Sequence, residues 1–522
     1  MIRALTILLT FFLSESVQEP APRNDEILIE RLLTRISTGQ VDSRGHQYAV
    51  ATLRRLDPSI VPQVNARLKA LAHRADANLD NLCEVLEVYP DESSVGPLVD
   101  CLDRPELRIQ TRVVPLLGAI GDPSAVGELL RYGERAPEYQ KQLVTDAVIR
   151  IGGPAAEEFV RALLDAPSFD ASQHALAAYR LWKQPEILPV LRERLEKLRA
   201  SGANPLDRIA TAWTVGVLGD ETGRDDLITL LDRELPGRLQ DFVIACLGEV
   251  GDEASSRALA KRLPEADQDT TIQLAHALSF CGDRIARREL RTLAQSPTRR
   301  IREEALDGLA RMGEREAAWT FWLEIREDPW SAESQRWIDF YTARLHEERI
   351  APDLLQWFED AGVERQFSLV RALGHLGDGR AIPPLLGILL EEDVLAEDGS
   401  SLSDLAVQAL ANCGVQSLSA LRGALDEADD ADSLRRILVA LRNAADRYGE
   451  DPTTRKEARL AFDAVVERFD TWDPELQVLV IQQILPGFFD LRFGRWLVER
   501  LRLGDLPEDV LEAMRSARRR YF

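Results

Sequence analysis

The sequence lacks the residue patterns that most enzymes and metal proteins carry. Its five cysteines are dispersed without CxxC spacing, and its six histidines form no HExxH or other paired ligand spacing. It contains no GxSxG nucleophile motif and no GxxxxGK[ST] phosphate loop. We therefore predict no zinc site, no disulfide framework, no cofactor and no enzymatic activity. Cys83 with Cys101 is the one pair close enough in sequence to be considered as a bridge.

Positive charge is also scarce. Lys and Arg together number 64 against 87 Asp and Glu, which gives a net charge of −23. Such a surface repels polyanions, so we expect no nucleic-acid partner. Beyond the N-terminus, no apolar run is long enough to cross a bilayer.

The N-terminus has the features of a secretory signal. Arg3 precedes an apolar run from Ala4 to Leu13, which is too short for a membrane-spanning helix, and small residues precede a possible cleavage site after Ser16. We predict a signal peptide at residues 1–16, a disordered linker at 17–25, and export to the periplasm or the extracellular space without stable membrane insertion after cleavage. The alternative is a disordered or buried apolar start.

The sequence is rich in internal repeats. The segments LGAIGDPSAVGELL from Leu117, LGEVGDEASSRALA from Leu247 and LGHLGDGRAIPPLL from Leu373 are copies of one pattern. The residue before each "GD" serves as an anchor, and most anchors are 31 residues apart. Such a period indicates a repeat architecture. The anchors are Leu56, Tyr89, Ile120, Ile151, Trp182, Leu218, Val250, Cys281, Met312, Leu345, Leu376, Cys413 and, more loosely, Ala444.

Each repeat is predicted to be a pair of helices. Positions −7, −4, −3 and 0 relative to the anchor are apolar, which places one apolar stripe along the helix that ends there; Cys246, Cys281 and Cys413 lie on this stripe and are predicted core residues. The glycine after the anchor fits a helix C-terminus with a left-handed backbone, and the following Asp fits the N-cap of the next helix. Glycine at −2 would allow neighbouring helices to approach closely. The glycines around His375 are therefore predicted to be structural rather than a phosphate loop.

This pattern resembles HEAT repeats, specifically the short kind of phycobilisome-lyase-like proteins, and is sharpest at residues 107–132, 243–313 and 367–389. The resemblance implies an all-α, right-handed α-solenoid of about 13–14 two-helix repeats with ARM-like architecture. We assign residues 26–450 to the solenoid and 451–522 to degenerate repeats and a C-terminal cap. The family's concave face binds proteins or sometimes other ligands, and some relatives act in attaching a bilin chromophore.

A second flank of the same helices varies between repeats. Positions −8, −5 and −1 lie off the core stripe, and by family resemblance they line the concave face. Aromatic and arginine side chains in a groove are typical of a partner-binding surface, although burial between repeats is an equal alternative. The candidate partner-binding residues are Trp213, Phe242, His276, Phe280, Trp337, Phe340, Arg371 and His375. For a separate tryptophan concentration at residues 319–357, core packing is the favoured interpretation.

The leading hypothesis is an exported, non-enzymatic scaffold or adaptor that holds a protein or peptide partner in its groove. A first alternative is a lyase-like catalytic accessory or chaperone for a chromophore or modified substrate, with His276 or His375 as acid or base. A further alternative is a carbohydrate-binding module that uses the aromatic residues. The sequence leaves the partner and the oligomeric state open.

Overall fold

The computed structural model describes residues 24–38, 44–74, 77–104, 106–166, 168–201, 204–233, 235–396, 398–428, 430–451 and 454–522. The predicted signal peptide lies outside these ranges, as does the predicted linker except for Asn24 and Asp25, which belong to the first helix. Within the ranges, the chain forms 30 α-helices and no β-strand apart from an isolated bridge between Leu395 and Ser401. None of the described helices is long and apolar enough to cross a membrane.

The helices pack as two compact units. Unit 1 joins the residues up to Ile120 with Gly379–Phe522, and unit 2 is Gly121–Asp378. Unit 1 contains α1 (Asn24–Ser37), α2 (Arg44–Arg54), α3 (Val61–Leu71), α4 (Asp80–Leu86), α5 (Val95–Val99) and α6 (Leu107–Ile120). Unit 2 contains α7 (Val126–Arg135), α8 (Glu138–Ile151), α9 (Pro154–Asp165), α10 (Phe169–Trp182), α11 (Leu188–Ser201), α12 (Pro205–Val217), α13 (Glu221–Leu231), α14 (Gly237–Val250), α15 (Glu253–Arg262), α16 (Gln268–Cys281), α17 (Arg284–Leu293), α18 (Arg299–Arg311), α19 (Glu316–Ile325), α20 (Ala332–Asp339), α21 (Ala351–Asp360) and α22 (Val363–Leu376). Unit 1 is completed by α23 (Ile382–Leu390), α24 (Leu402–Leu410), α25 (Gln416–Ala424), α26 (Ala431–Gly449), α27 (Arg455–Arg468), α28 (Pro474–Leu479), α29 (Arg492–Leu503) and α30 (Glu508–Tyr521).

The helices of unit 2 form two rows in chain order. The helices that end at an anchor, α10, α12, α14, α16 and α18, each pack against the next, and the helices between them contact their partners and one another. This arrangement is an α-solenoid, because each repeat buries its apolar stripe against its neighbours. The predicted all-α solenoid of two-helix repeats is therefore confirmed.

The predicted helix boundaries are confirmed in backbone detail. All eight glycines that follow an anchor have a positive φ, for example 71° at Gly251 and 69° at Gly377. The side chains of the next aspartates accept hydrogen bonds from the first turn of the following helix: Asp252 accepts from the Ser255 N–H at 2.8 Å, and Asp283 accepts from the Ile285 N–H at 2.7 Å. The glycines thus end helices, and the aspartates begin them.

In two repeats, the residue after the anchor has a left-handed backbone conformation although it is not a glycine. Lys183 follows the anchor Trp182 with φ 51°, and His346 follows the anchor Leu345 with φ 46°. A positive φ is uncommon for residues with a β-carbon. The backbone conformation at this position is therefore a property of the repeat, and glycine is its usual but not its obligatory occupant.

The predicted core stripe is buried. Val243, Cys246 and Leu247 on α14 are at most 1% exposed. All five cysteines are buried and unbridged, so the Cys83–Cys101 disulfide that the sequence left open is not formed. Burial raises the pKa of Cys101 to about 12, so this thiol remains protonated at neutral pH.

The loose anchor at Ala444 is not a helix end. Ala444 is fully buried within α26, which continues to Gly449. A longer helix here shifts the end of the repeat by several residues, so the proposed 31-residue step from Cys413 to Ala444 is wrong.

In unit 1, the N-terminal helices pack on the C-terminal ones. The ring of Tyr48 on α2 lies 4.9 Å from that of Tyr521 and 5.3 Å from that of Phe522 between centroids. Arg55 donates a hydrogen bond to the Phe488 carbonyl at 3.0 Å and pairs with Asp446 at 2.6 Å. These contacts join residues more than 390 positions apart. The predicted C-terminal cap therefore packs on the start of the described chain.

Candidate functional site

The candidate residues differ in their accessibility. His276, Phe280, Arg371 and His375 are exposed, whereas Trp213 and Phe242 are half-buried. Trp337 and Phe340 are only 1% and 7% exposed. Six of the eight side chains therefore reach the surface, and the expectation that Trp337 and Phe340 offer theirs to a partner is not met.

A π-helix explains why those two residues lie in the core. Residues Phe340–Arg344 form one π-helical turn just before the anchor Leu345. Such a turn inserts about one extra residue into the helix. Counting back from Leu345, Phe340 and Trp337 at −5 and −8 therefore take the places that −4 and −7 occupy in a regular repeat. Those are core positions, and the ring of Trp337 packs 4.7 Å from that of Phe321 between centroids.

The first group of accessible residues, the Trp213 cluster, consists of Arg180, Trp213 and Phe242 on α10, α12 and α14. The Arg180 guanidinium carbon lies 3.5 Å from the centroid of the Trp213 indole, and Phe242 meets that ring edge-on at 5.9 Å. Arg180 also donates a hydrogen bond to Thr214 Oγ1 at 2.6 Å. Burial lowers the pKa of Arg180 to about 10, with Cys246 and Glu249 opposing the shift. Among the described residues, Arg180 has no carboxylate partner, so its charge is only partly compensated.

The second group, the Glu304 cluster, joins α16 and α18 to the π-helical turn. Its members are His276, Phe280, Glu304, Asp307, Arg311 and Arg344. The Nδ1–H of His276 donates to Glu304 Oε1 at 2.8 Å, and Arg344 donates to Glu304 Oε2 at 2.8 Å. Arg311 and Arg344 also bind Asp307, at 3.0 and 2.7 Å.

The Glu304 carboxylate is the buried centre of this cluster. Burial by itself would raise its pKa, but the hydrogen bonds from His276 and Arg344 outweigh burial and hold the pKa below the ordinary value. Glu304 is thus ionised at neutral pH and accepts from three donors. The network fixes the His276 ring, which meets the Phe280 ring edge-on at 5.1 Å.

Phe280 is the accessible apolar group of the cluster. Its ring is 52% exposed, and the Arg311 guanidinium lies 5.4 Å from its centroid. A large ring that is held from two sides and open on the third can insert into a partner's surface.

The sequence reasoning missed Arg180, Glu304, Asp307, Arg311 and Arg344 as site residues. Three of them lie at the positions that the sequence pattern assigns to the accessible flank: Glu304, Asp307 and Arg311 are at −8, −5 and −1 from the anchor Met312. Choosing charged as well as aromatic residues at those positions would have found them. Arg344 lies in the π-helical turn, which the sequence pattern did not indicate.

The remaining candidates lie outside both clusters. Arg371 and His375 are exposed on α22, one helical turn apart. This helix packs on the π-helical turn that carries Arg344, but neither side chain forms a hydrogen bond or ion pair with a described member of either cluster. In the separate tryptophan concentration, Trp322 is fully buried, and its indole N–H donates to Asp353 at 2.7 Å. Trp322 thus packs in the core, as the favoured interpretation predicted.

Comparison with known proteins supports the repeat and little more. Residues 366–391 match the family model described as PBS lyase HEAT-like repeat. No curated protein matches the sequence. Human deoxyhypusine hydroxylase in complex with glycerol is 17% identical, over 49% of this chain and 96% of that one, with a TM-score of 0.22.

Two further solved structures cover more of the chain. Importin beta in an ammonium sulfate condition is 12% identical, over 97% of this chain and 64% of that one, with a TM-score of 0.30. The Kap95:Nup1 complex is 10% identical, over 94% and 73%, with a TM-score of 0.37. At these values none of these structures indicates a partner or a reaction for this chain. Residues 366–391 match the PBS lyase HEAT-like repeat, and the described helix pairs of the chain form an α-solenoid of two-helix repeats.

Proposed function

We propose that the protein is a scaffold or adaptor that binds a protein or peptide partner on the flank formed by the Trp213 and Glu304 clusters of unit 2. The observation that carries the proposal is the exposure of the Phe280 ring between His276 and Arg311 on the row of helices that end at anchors. Exposed aromatic rings beside arginines have the composition of interface anchors.

The Trp213 cluster adds a charged contact to this apolar one. The guanidinium of Arg180 is oriented by the Trp213 ring and by Thr214 but meets no carboxylate among the described residues. A carboxylate on the partner would neutralise the Arg180 charge, because an oriented guanidinium binds a carboxylate with two parallel hydrogen bonds. The proposed partner therefore presents an apolar surface for Phe280 and an acidic group for Arg180.

The test is affinity capture with matched variants of the mature chain. Phe280→Ala and Arg180→Gln should each weaken retention of the captured partner about tenfold or more, as interface anchors do when truncated. Leu323→Ala is the control, because Leu323 is 43% exposed on α19 outside both clusters. Equal loss of the partner from all three variants, or from none, would contradict the assignment of this flank.

A catalytic accessory is a second candidate, because His276 is held by a carboxylate as general bases often are. His276→Gln separates the two functions. If the flank is a scaffold, the His276→Gln variant should bind the partner with an affinity within about threefold of the wild-type value, since contacts at the rim of an interface contribute little. Loss of a chemical turnover with unchanged partner affinity would instead favour the accessory role.

The carbohydrate-binding alternative receives less support. Sugar stacking needs an open aromatic face, but Arg180 covers a face of the Trp213 indole at 3.5 Å and Trp337 is buried. These two tryptophans of the aromatic set are therefore poor platforms for a sugar ring.

We propose in addition that the chain is exported, on the strength of the apolar run from Ala4 to Leu13 after Arg3. Mass spectrometry of the purified native protein should find an N-terminus near residue 17. An intact Met1 on protein recovered from the cytoplasm would contradict export.

A further inference from the structure

Unit 1 contains a cavity of about 500 Å³ whose charge opposes that of the whole chain. Its polar lining comes from Arg44 and Gln47 on α2, Arg442 on α26, Gln482 and Gln483 after α28, and Arg520 on α30. No aspartate or glutamate is among the described lining residues, although the chain carries a net charge of −23. Three arginines and no described carboxylate side chain therefore line this cavity.

None of these three guanidinium groups is neutralised within the described structure. Arg442 donates to Asn443 Oδ1, at 2.7 and 3.1 Å, and forms no ion pair with a described carboxylate. The side chains of Arg44 and Arg520 are exposed and hydrogen-bond to no described residue. Asp446 lies near Arg442 but is engaged by Arg55 at 2.6 Å.

Arg442 is built into the wall rather than left on the surface. Its Cγ and Cδ atoms pass so close to Gly487 that an added β-carbon would overlap both of them. The side chain is half-buried, and this burial lowers the pKa of the guanidinium against the opposing field of Asp446. Holding a charged group with few compensating partners is unfavourable, so a bound anion would stabilise it.

The rest of the lining consists of three glutamines, the aromatic residues Tyr48, Phe489 and Tyr521, and Pro486 and Gly487. Gln47, Gln482 and Gln483 are exposed, and a glutamine amide has two N–H donors for an oxyanion. Tyr48 contributes its ring, because its hydroxyl already donates to the Asp490 carbonyl at 3.0 Å, and Phe489 lies beside it. The volume falls in the range of about 300 to 1,000 Å³ that is typical of small-molecule sites.

We propose that this cavity is a binding site for a small phosphate-bearing polyanion. Arginine forks match phosphate oxygens with two parallel hydrogen bonds, and three arginines that line one cavity suit more than one phosphate group. The site lies in unit 1 and uses no residue of the Trp213 or Glu304 cluster, so it goes beyond the proposed scaffold function and can fail independently of it.

The test is calorimetric titration of the full mature chain with pyrophosphate at low salt, with orthophosphate and citrate titrated in parallel. We expect saturable binding of pyrophosphate that is tighter than binding of either comparison anion. Arg442→Gln and Arg44→Gln should each weaken it about tenfold, the effect of one lost charged hydrogen-bond pair. The affinity should also fall as salt rises, because charge neutralisation drives binding.

Arg447→Gln is the matched control, since Arg447 is an exposed arginine on the same helix α26 and does not line the cavity. It should leave the affinity unchanged. Circular dichroism of each variant establishes that it is folded, and Arg520→Gln, at an exposed site on α30, provides a further variant if Arg442→Gln does not fold. Absence of saturable binding, equal weakening by Arg447→Gln, or citrate binding as tight as pyrophosphate binding would overturn the proposal.

Discussion

Gly248 on α14 lies directly against the backbone of Ala277 on α16. A β-carbon added at Gly248 would be 2.8 Å from both the Cα and the carbonyl oxygen of Ala277. The helices approach this closely because glycine has no side chain, as the glycine at −2 in the sequence pattern predicted. Since the obstacle is backbone, it cannot move aside without separating the two helices.

Gly248→Ala should therefore destabilise unit 2 by about 1–3 kcal/mol, the usual cost of overpacking a tight contact. Differential scanning calorimetry measures the loss as a lower Tm. Gly127→Ala on α7 is the control, because nothing lies within 4 Å of its added β-carbon; there alanine should be neutral or stabilise by up to about 1 kcal/mol. Equal Tm values for the two variants would contradict the proposed close packing.

The Glu304 carboxylate makes the stability of unit 2 depend on pH. Burial opposes its ionisation, but the hydrogen bonds from His276 and Arg344 hold its folded pKa below the ordinary value of 4.5. Because the folded pKa is depressed, the stabilisation is fully present above about pH 4.5 and is lost as pH falls through the folded pKa. Glu304→Gln should cost about 1.5–3 kcal/mol at neutral pH, the typical value for hydrogen bonds to a charged group.

The check is the difference in Tm between wild type and Glu304→Gln at a series of pH values. The difference should be present at pH 7 and should shrink as the pH falls below about 4.5. Asp269→Asn, which removes an 86% exposed carboxylate on α16, should show only a small difference throughout. A difference that persists at pH 3 would mean that Glu304 acts through its shape rather than its charge.

Counting positions from the anchor of each repeat predicted more of the backbone structure than of the candidate site. Positions counted from the anchors located the left-handed residues, the aspartate caps and the buried stripe, because each follows from local hydrogen bonding and a helical period of 3.6 residues. The same counting placed Trp337 and Phe340 on the accessible flank, and there it failed. The π-helical turn at Phe340–Arg344 adds a residue to the helix, and no feature of the sequence pattern predicts such a turn.

The contacts between sequence-distant segments of unit 1 could not be predicted from the sequence pattern, for a different reason. The packing of Tyr48 on Tyr521 and the cavity that holds Arg44, Arg442 and Arg520 depend on elements hundreds of residues apart. A periodic pattern describes each helix and its neighbours in the chain, and it contains no information about such long-range pairs.

The packing of α2 on α30 has its own test at Gly45. A β-carbon there would overlap the carbonyl oxygen of Arg520 and lie 2.5 Å from Nη1 of Arg35, which itself donates to that carbonyl. Gly45→Ala should therefore destabilise unit 1 by about 1–3 kcal/mol. Gly423→Ala on α25, with nothing within 4 Å, is the control and should not lower Tm. If Gly45→Ala melts like the control, α30 does not pack on α2 as described.

Lys183 tests whether the repeat imposes its backbone conformation on the residue after the anchor. Lys183 has φ 51° and ψ 43°, and its N–H donates to the Tyr179 carbonyl at 3.0 Å, as Gly251 and Gly377 do to the carbonyls four residues before them. A left-handed backbone costs a residue with a β-carbon about 1–2 kcal/mol. Glycine removes that cost but loses about 0.5–1 kcal/mol through the greater freedom of the unfolded chain.

Lys183→Gly should therefore stabilise unit 2 by about 0.5–1 kcal/mol, the balance of these two effects. Lys183→Ala separates this effect from loss of the exposed lysine side chain, because alanine keeps the β-carbon and should leave Tm nearly unchanged. A rise in Tm for glycine alone is the expected result. If alanine stabilises as much as glycine, the lysine side chain rather than the left-handed backbone is the source of strain; if neither does, the repeat accommodates this conformation without measurable cost.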